Sequence, residues 1–135
     1  MSVIAIGLDL CQIERVQATL DRYGDHFIQR IFTAGEQRYC EARPRVRATH
    51  YAGRFAVKEA VMKVLGTGWR QGVRFVDIEV VRAPGAAPEV RLHGRSAEHA
   101  RARGIERILV TITHDAGTTA AVAIGVSDPA PKPAG

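Results

Sequence analysis

Residues 54–63 of this 135-residue sequence carry four charges that a plain amphipathic helix would place elsewhere. Wound at about 100° per residue over 48–65, Leu65, Tyr51, Met62 and Phe55 fill one apolar arc. Val64, Val57 and Val61 fill a second arc beside it, and Arg54 and Lys58 fall between the two. Glu59 and Lys63 share a third face with the small residues Ala52 and Ala56. A cation set among core residues requires an anion, because an unpaired buried charge is strongly destabilising. An acid flanked by alanines leaves room for a second group, and Asp9, at the end of an alternating strand, is the carboxylate to pair with Glu59. Two carboxylates completed by water and substrate phosphate suit Mg²⁺. Lys58, Lys63 and Arg54 would then meet phosphate oxygens, where fixed positive charge stabilises a phosphoryl-type transition state.

Each of these residues also has a plainer reading. Glu59 and Lys63, four apart, can be a surface ion pair, and Arg54 and Lys58 can extend their charges outward along their methylene stems. A strand-end Asp such as Asp9 can serve as a turn or cap residue. His114 and Asp115, at a strand end before a tight turn, can form an Asx-type hairpin turn.

The elements that must position these groups follow from periodicity. Residues 3–10 alternate as a strand, with Ile4, Ile6, Leu8 and Leu10 on a bulky face and Val3, Ala5, Gly7 and Asp9 on a narrow one. Residues 12–22 read as a helix with Ile13, Val16 and Leu20 on one face, Arg15 and Arg22 outside it, and Gly24 as its break. Thr33 followed by Glu36 predicts a capping box opening a short helix to about Cys40. The long helix begins beyond Pro44 and ends at Gly66-Thr67-Gly68. A strand over 73–82, a turn over 84–88 and a short strand through Leu92 come next. Ser96 is expected to cap a short helix that ends at Gly104. Two more strands, carrying Ile108, Val110, Ile112 and His114, then Ala120, Val122, Ile124 and Val126, flank the turn at 114–117. The mixture lacks regular βαβ alternation, so the fold class is α+β, a small antiparallel sheet against a long central helix. One domain is expected over 1–126, and 127–135, with three prolines, as a disordered C-terminal tail.

Composition narrows the classes. The sequence is 46% hydrophobic and 24% charged, within the range of ordinary soluble domains. It has neither a membrane-span-like apolar run nor a signal-peptide pattern, and Cys11 and Cys40 lack metal-type spacing. A cytoplasmic protein with reduced thiols and no membrane partner is therefore expected. The net charge of +5, with arginine greatly outnumbering lysine, points to an anionic partner. That charge is spread along the chain without a basic tract or interleaved aromatics, so a nucleic-acid partner is not expected.

The ordered motifs resemble the short type of 4'-phosphopantetheinyl transferase, the holo-[acyl-carrier-protein] synthases. They are Ile6-Gly7-Leu8-Asp9-Leu10 with Ile13-Glu14-Arg15-Val16, then Phe32-Thr33-Ala34-Gly35-Glu36. Gly53-Arg54-Phe55-Ala56-Val57-Lys58-Glu59-Ala60 follows, running into Lys63-Val64-Leu65-Gly66-Thr67-Gly68. Phe75-Val76-Asp77-Ile78-Glu79-Val80, Pro88 and Thr113-His114-Asp115 complete a set spanning roughly residues 3–126. The resemblance implies the phosphopantetheinyl transferase fold. It also implies transfer of the 4'-phosphopantetheine arm from coenzyme A to a serine of an acidic apo acyl carrier protein, releasing adenosine 3',5'-bisphosphate. Mg²⁺ is the implied cofactor, and fatty acid and lipid biosynthesis the implied setting.

Residue by residue, the resemblance makes Asp9 and Glu59 the metal-binding acids and Lys63 the lysine beside the transferring phosphate. Arg54, Lys58, Gly66, Thr67, Pro88, Thr113 and His114 fall on coenzyme A-binding segments, and Arg15 and Arg22 on the region that meets the carrier. A metal-positioned water or Glu59 would take the serine proton. Arg43, Arg45 and Arg47 stand in a segment of variable basic residues, and Thr113 replaces a frequent serine. Asp115 is a third acid that could join the metal shell. The family further implies a homotrimer with each site between adjacent subunits. The alternative is a module that binds coenzyme A or a nucleotide without catalysis.

Overall fold

The computed structural model describes residues 1–127. The tail expected over 127–135 lies, apart from Ser127, outside the described residues. Its elements are β1 (Val3–Gln12), α1 (Ile13–Tyr23), α2 (Asp25–Ile31), α3 (Ala34–Glu41), α4 (Arg47–Leu65), β2 (Ile78–Val81), β3 (Glu89–Leu92), α5 (Gly94–Ala102), β4 (Arg107–Asp115) and β5 (Thr118–Val126). The α+β class is as expected, but the strands divide between two sheets. β1, β5 and β4 form one antiparallel sheet in that order, and β2 and β3 form a separate hairpin.

Helix α4 is the axis of the molecule. On one side it packs against the three-stranded sheet through Ala56, Val57, Ala60, Val61 and Val64. On the other, Ala48, Tyr51 and Ala52 meet Val16, Leu20, Ile28 and Phe32 of the first helices. This two-sided packing explains why α4 lacks a single apolar stripe. Its end is a Schellman cap: Gly66 adopts φ 75°, and the Thr67 N–H donates to the Met62 carbonyl at 3.3 Å.

Sheet and helix approach closely because their contact face is built from small residues. Gly7, Ala121, Ala123 and Gly125 are buried there. A Cβ on Gly7 would lie 2.1 Å from the Ala60 carbonyl oxygen, and one on Gly125 would lie 2.8 Å from Val64. The bulky face of β1 therefore points away from α4, and Ile6, Leu8 and Leu10 are all more than half exposed.

Three local expectations change. Val73 to Asp77 is not strand, because a 3-10 turn occupies Phe75–Asp77 and β2 begins only at Ile78. Helix α5 starts at Gly94, so Ser96 sits inside its first turn, where its hydroxyl donates to the carbonyls of His93 and Asp77. Helix α2 was not anticipated, since its seven residues are too few to establish a period. The capping box is present in full, with Thr33 and Glu36 each accepting from the other's backbone N–H.

Candidate active site

Asp9 lies on the narrow face of β1, two residues beyond Gly7 and therefore on the side that faces α4. Glu59 and Lys63 project from α4 toward the same region. The Lys63 ammonium donates to the Leu8 carbonyl at 2.7 Å and to Asp9 Oδ1 at 3.3 Å. Burial, then the Asp9 carboxylate, push the Glu59 carboxyl above its usual range, and Lys63 opposes them. The structure thus gathers Asp9, Glu59 and Lys63. Cys11, next but one along β1, borders this group, and its thiol is pushed up to about 11 by burial and then by Asp9. It is a neutral thiol at ordinary pH. The period-2 pattern that places Asp9 also places Cys11 on that face, but nothing in the sequence singled it out.

A second group forms around the start of α4. Arg54 is only 3% exposed. Its guanidinium lies 3.9 Å from the Tyr39 ring centre and donates to the His50 carbonyl at 3.4 Å, while its buried Nε has no partner among the described residues. Arg43 lies over the same ring at 3.8 Å. Burial, followed by Arg54, Arg43, Arg82 and His114, depresses the His50 imidazole, so three arginines and a second histidine lie around it. Beside them Arg54, Tyr39, Arg82 and Arg91 border a cavity of about 250 Å³. Arg38 lines it as well, and these arginines outnumber the one carboxylate there, Glu79, so the cavity is net cationic and suited to an anion. The sequence reading named Arg54, Arg43 and His114 but missed Tyr39, His50, Arg82 and Arg91, which come from separate elements.

Lys58 corrects the expectation that it meets coenzyme A. It is fully buried, and its ammonium donates to Glu36 Oε1 at 2.9 Å, the Phe75 carbonyl at 2.9 Å and the Ile78 carbonyl at 2.6 Å. Three donors with three acceptors leave none for a ligand. Burial pulls this ammonium down from its ordinary range, and the Glu36 carboxylate opposes that. Glu36, whose other oxygen accepts from the Val80 N–H at 2.9 Å, is the anion that the helix pattern required.

The other sequence candidates are distributed. Gly66 and Thr67 form the C-terminal cap of α4, and the Thr67 hydroxyl donates to the Gly68 carbonyl at 2.8 Å. Pro88 leads into β3. Thr113 and His114 lie on opposite faces of β4 near its end, both exposed. Asp115 pairs with Thr118, which also pairs with Gln12, so it is level with Gln12 and three residues from Asp9 along the sheet. No cluster of three His, Cys, Asp or Glu able to hold a metal occurs among the described residues. Asp115 is therefore not brought into the acidic pair. Arg15 and Arg22, seven apart on α1, share an exposed face. Arg15 also borders a cavity of about 440 Å³ with Cys11, Val16, Phe27 and Phe55.

Arg54 and Lys63 are nine residues apart on α4, hence on faces roughly 180° opposed. Within one chain the acid pair and the cationic cavity cannot face each other across a short distance.

Residues 5–122 match the sequence model of the 4'-phosphopantetheinyl transferase superfamily. A holo-[acyl-carrier-protein] synthase of Solibacter usitatus is 45% identical over 114 residues, 84% of this chain and 90% of that protein. One from Sphingopyxis alaskensis is 51% identical over 96 residues, 71% of this chain and 72% of that protein. The crystal structure of the Helicobacter pylori holo-[acyl-carrier-protein] synthase in complex with coenzyme A is similar at 30% identity and a TM-score of 0.78, covering 90% of this chain and 100% of that one. That from Neisseria meningitidis reaches a TM-score of 0.83 at 26% identity, covering 93% and 99%. The chain belongs to this superfamily and, within it, to the holo-[acyl-carrier-protein] synthases, which are phosphopantetheinyl transferase enzymes.

Proposed function

We propose that this chain transfers the 4'-phosphopantetheine group of coenzyme A to a serine of an acidic acyl carrier protein, with Mg²⁺, releasing adenosine 3',5'-bisphosphate. The observation that carries this reading is the convergence of Asp9, Glu59 and Lys63 where β1 crosses α4. The donor set fits a divalent cation: two carboxylates lie close enough for Asp9 to raise Glu59, a repulsion that a cation held by both would relieve. Bound there, Mg²⁺ would supply charge neutralisation and orientation for the pyrophosphate.

Lys63, on a half-exposed stem, is within reach of phosphate oxygens, where its charge stabilises the transferring group. The serine oxygen attacks the β-phosphorus in line, forming the new P–O bond as the bond to the bridging oxygen breaks. Glu59, beside the attacking oxygen, takes the serine proton directly or through a water. The Arg54–Tyr39–Arg43 stack and His114 hold the nucleotide end of the leaving bisphosphate. Arg15 and Arg22 meet acidic residues of the carrier beside the cavity bordered by Phe27 and Phe55.

The chain acts as a homotrimer with each site shared between neighbouring copies. Two observations support this. The outer sheet face exposes Ile6, Leu8, Leu10 and Leu109, an apolar surface that asks for cover. The acid pair and the cationic cavity lie on opposite faces of α4, so a second copy can bring one to the other. No helix of the described residues is long and apolar enough to cross a membrane. Free Cys11 and Cys40 accord with work in the cytoplasm, in fatty acid or related lipid synthesis.

The test is intact-protein mass spectrometry of an apo acyl carrier protein incubated with this chain, coenzyme A and Mg²⁺. A gain of one phosphopantetheine, absent with EDTA and with Asp9→Ala, is the expected outcome. No gain with several carriers, from a folded chain that binds coenzyme A, would make it a binding module instead.

A further inference from the structure

The contacts of Lys63 carry a consequence for how the acid pair is kept ready. Its ammonium is not directed into solvent: it donates to the Leu8 carbonyl at 2.7 Å and reaches Asp9 Oδ1 at 3.3 Å. The Asp9 side chain is mostly buried, at 18% exposure, whereas that of Lys63 is 54% exposed. Lys63 also lies one helical turn from Glu59 and acts on its carboxyl. The lysine charge therefore stands against both acids. A divalent cation held by Asp9 would face that ammonium within a few ångströms, and like charges at such separations repel strongly. One of the two has to leave, and the residue free to move is the half-exposed lysine on its four-carbon stem.

We propose that Lys63 is a resident counter-ion that competes with the divalent cation for Asp9, and that a phosphate-bearing ligand relieves this competition by drawing the ammonium away. This rests on Asp9 and Glu59 as the metal ligands. Cation and phosphoanion then bind with positive coupling. Each strengthens the other by the same factor, as linkage requires. The acid pair stays neutralised and binds stray cations only weakly until a phosphate arrives. Gly7 makes the arrangement possible, because a Cβ there would come within 3.1 Å of the Lys63 Cβ and displace the stem.

The experiment is Mn²⁺ titration of the EDTA-stripped full chain, read by electron paramagnetic resonance without any phosphate ligand. Wild type, Lys63→Met, Lys63→Gln and Asp9→Asn are compared, with Arg15→Gln as a control for loss of a nearby charge that does not touch Asp9. Both Lys63 variants should bind Mn²⁺ about 1.5- to fivefold more tightly than wild type, the range set by an ion pair of this exposure. Arg15→Gln should gain less, and Asp9→Asn should lose binding. In wild type, ¹⁵N spectra of the Lys63 ammonium should shift when Mg²⁺ alone is added. Equal Mn²⁺ affinity in wild type and both Lys63 variants, with Asp9→Asn still deficient, would overturn the competition while leaving the metal site intact. A Lys63 signal unmoved by saturating Mg²⁺ would do the same. Mn²⁺ affinity indifferent to Asp9→Asn would overturn the metal assignment itself.

Discussion

Replacing Lys58 by methionine separates structural from ligand roles for the charge most deeply set in α4. The variant keeps an unbranched stem but deletes an ammonium that is 0% exposed and donates at 2.9, 2.9 and 2.6 Å. Glu36, itself 1% exposed, would lose its cation, and the Phe75 and Ile78 carbonyls would lose a donor. Breaking a buried pair on one side destabilises by about 3–5 kcal/mol. The Phe75 carbonyl still accepts from the Ile78 N–H, so the lost carbonyl bonds together add only about 1 kcal/mol. The Thr33 and Val80 N–H groups remain on Glu36 and offset part of this. The expected loss is about 3–5 kcal/mol, a large share of the ~5–15 kcal/mol of a typical domain. Urea unfolding should show the midpoint falling with the slope retained. At low temperature, where the variant is folded, coenzyme A affinity should match wild type. A loss below about 1 kcal/mol, or normal stability with weakened coenzyme A binding, would refute the assignment and return Lys58 to the ligand.

Gly7→Ala drives a Cβ into the Ala60 carbonyl, a backbone atom that cannot turn aside. It should cost about 1–3 kcal/mol, lower Tm by on the order of 10 °C, and weaken Mn²⁺ binding as Asp9 and Glu59 separate; a wild-type Tm would contradict the close packing. Burial and Asp9 raise the Glu59 carboxyl, so its charged form weighs against the folded state at neutral pH. The stability Glu59 lends is full below its unfolded pKa and is lost as pH rises through the higher folded value. Glu59→Gln in EDTA should therefore melt higher than wild type at pH 7, the gap closing as pH falls through the glutamate range, while with Mg²⁺ present its transfer activity is lost. Arg15→Glu with Arg22→Glu should weaken carrier binding roughly tenfold at low salt, with the difference shrinking as ionic strength rises; an unchanged affinity by calorimetry would move the docking face off α1.

What the sequence determined were features governed by neighbours in the chain. Thr33 and Glu36 cap α3 because three residues bring a hydroxyl and a carboxylate to the same orphan N–H groups, and Gly66 ends α4 because it accepts a left-handed φ. Alternation in β1 put Asp9 and Gly7 on one face, and helical periodicity put Lys58 among core residues and Glu59 beside Lys63. Periodicity could require an anion for Lys58, but it could not supply one: Glu36 is 22 residues away and reaches it only when α3 packs on α4. Tertiary structure also decided that the small face of β1 is the buried one. Local pattern favours burying Ile6, Leu8 and Leu10, yet Gly7 and the small residues of β5 admit the backbone of α4, and the bulky face is left outward. Likewise Arg54 and Arg43 meet over the Tyr39 ring only because α3 packs on α4, on the face of α4 opposite Lys63. Such placements depend on packing between distant segments, a property that no local period encodes.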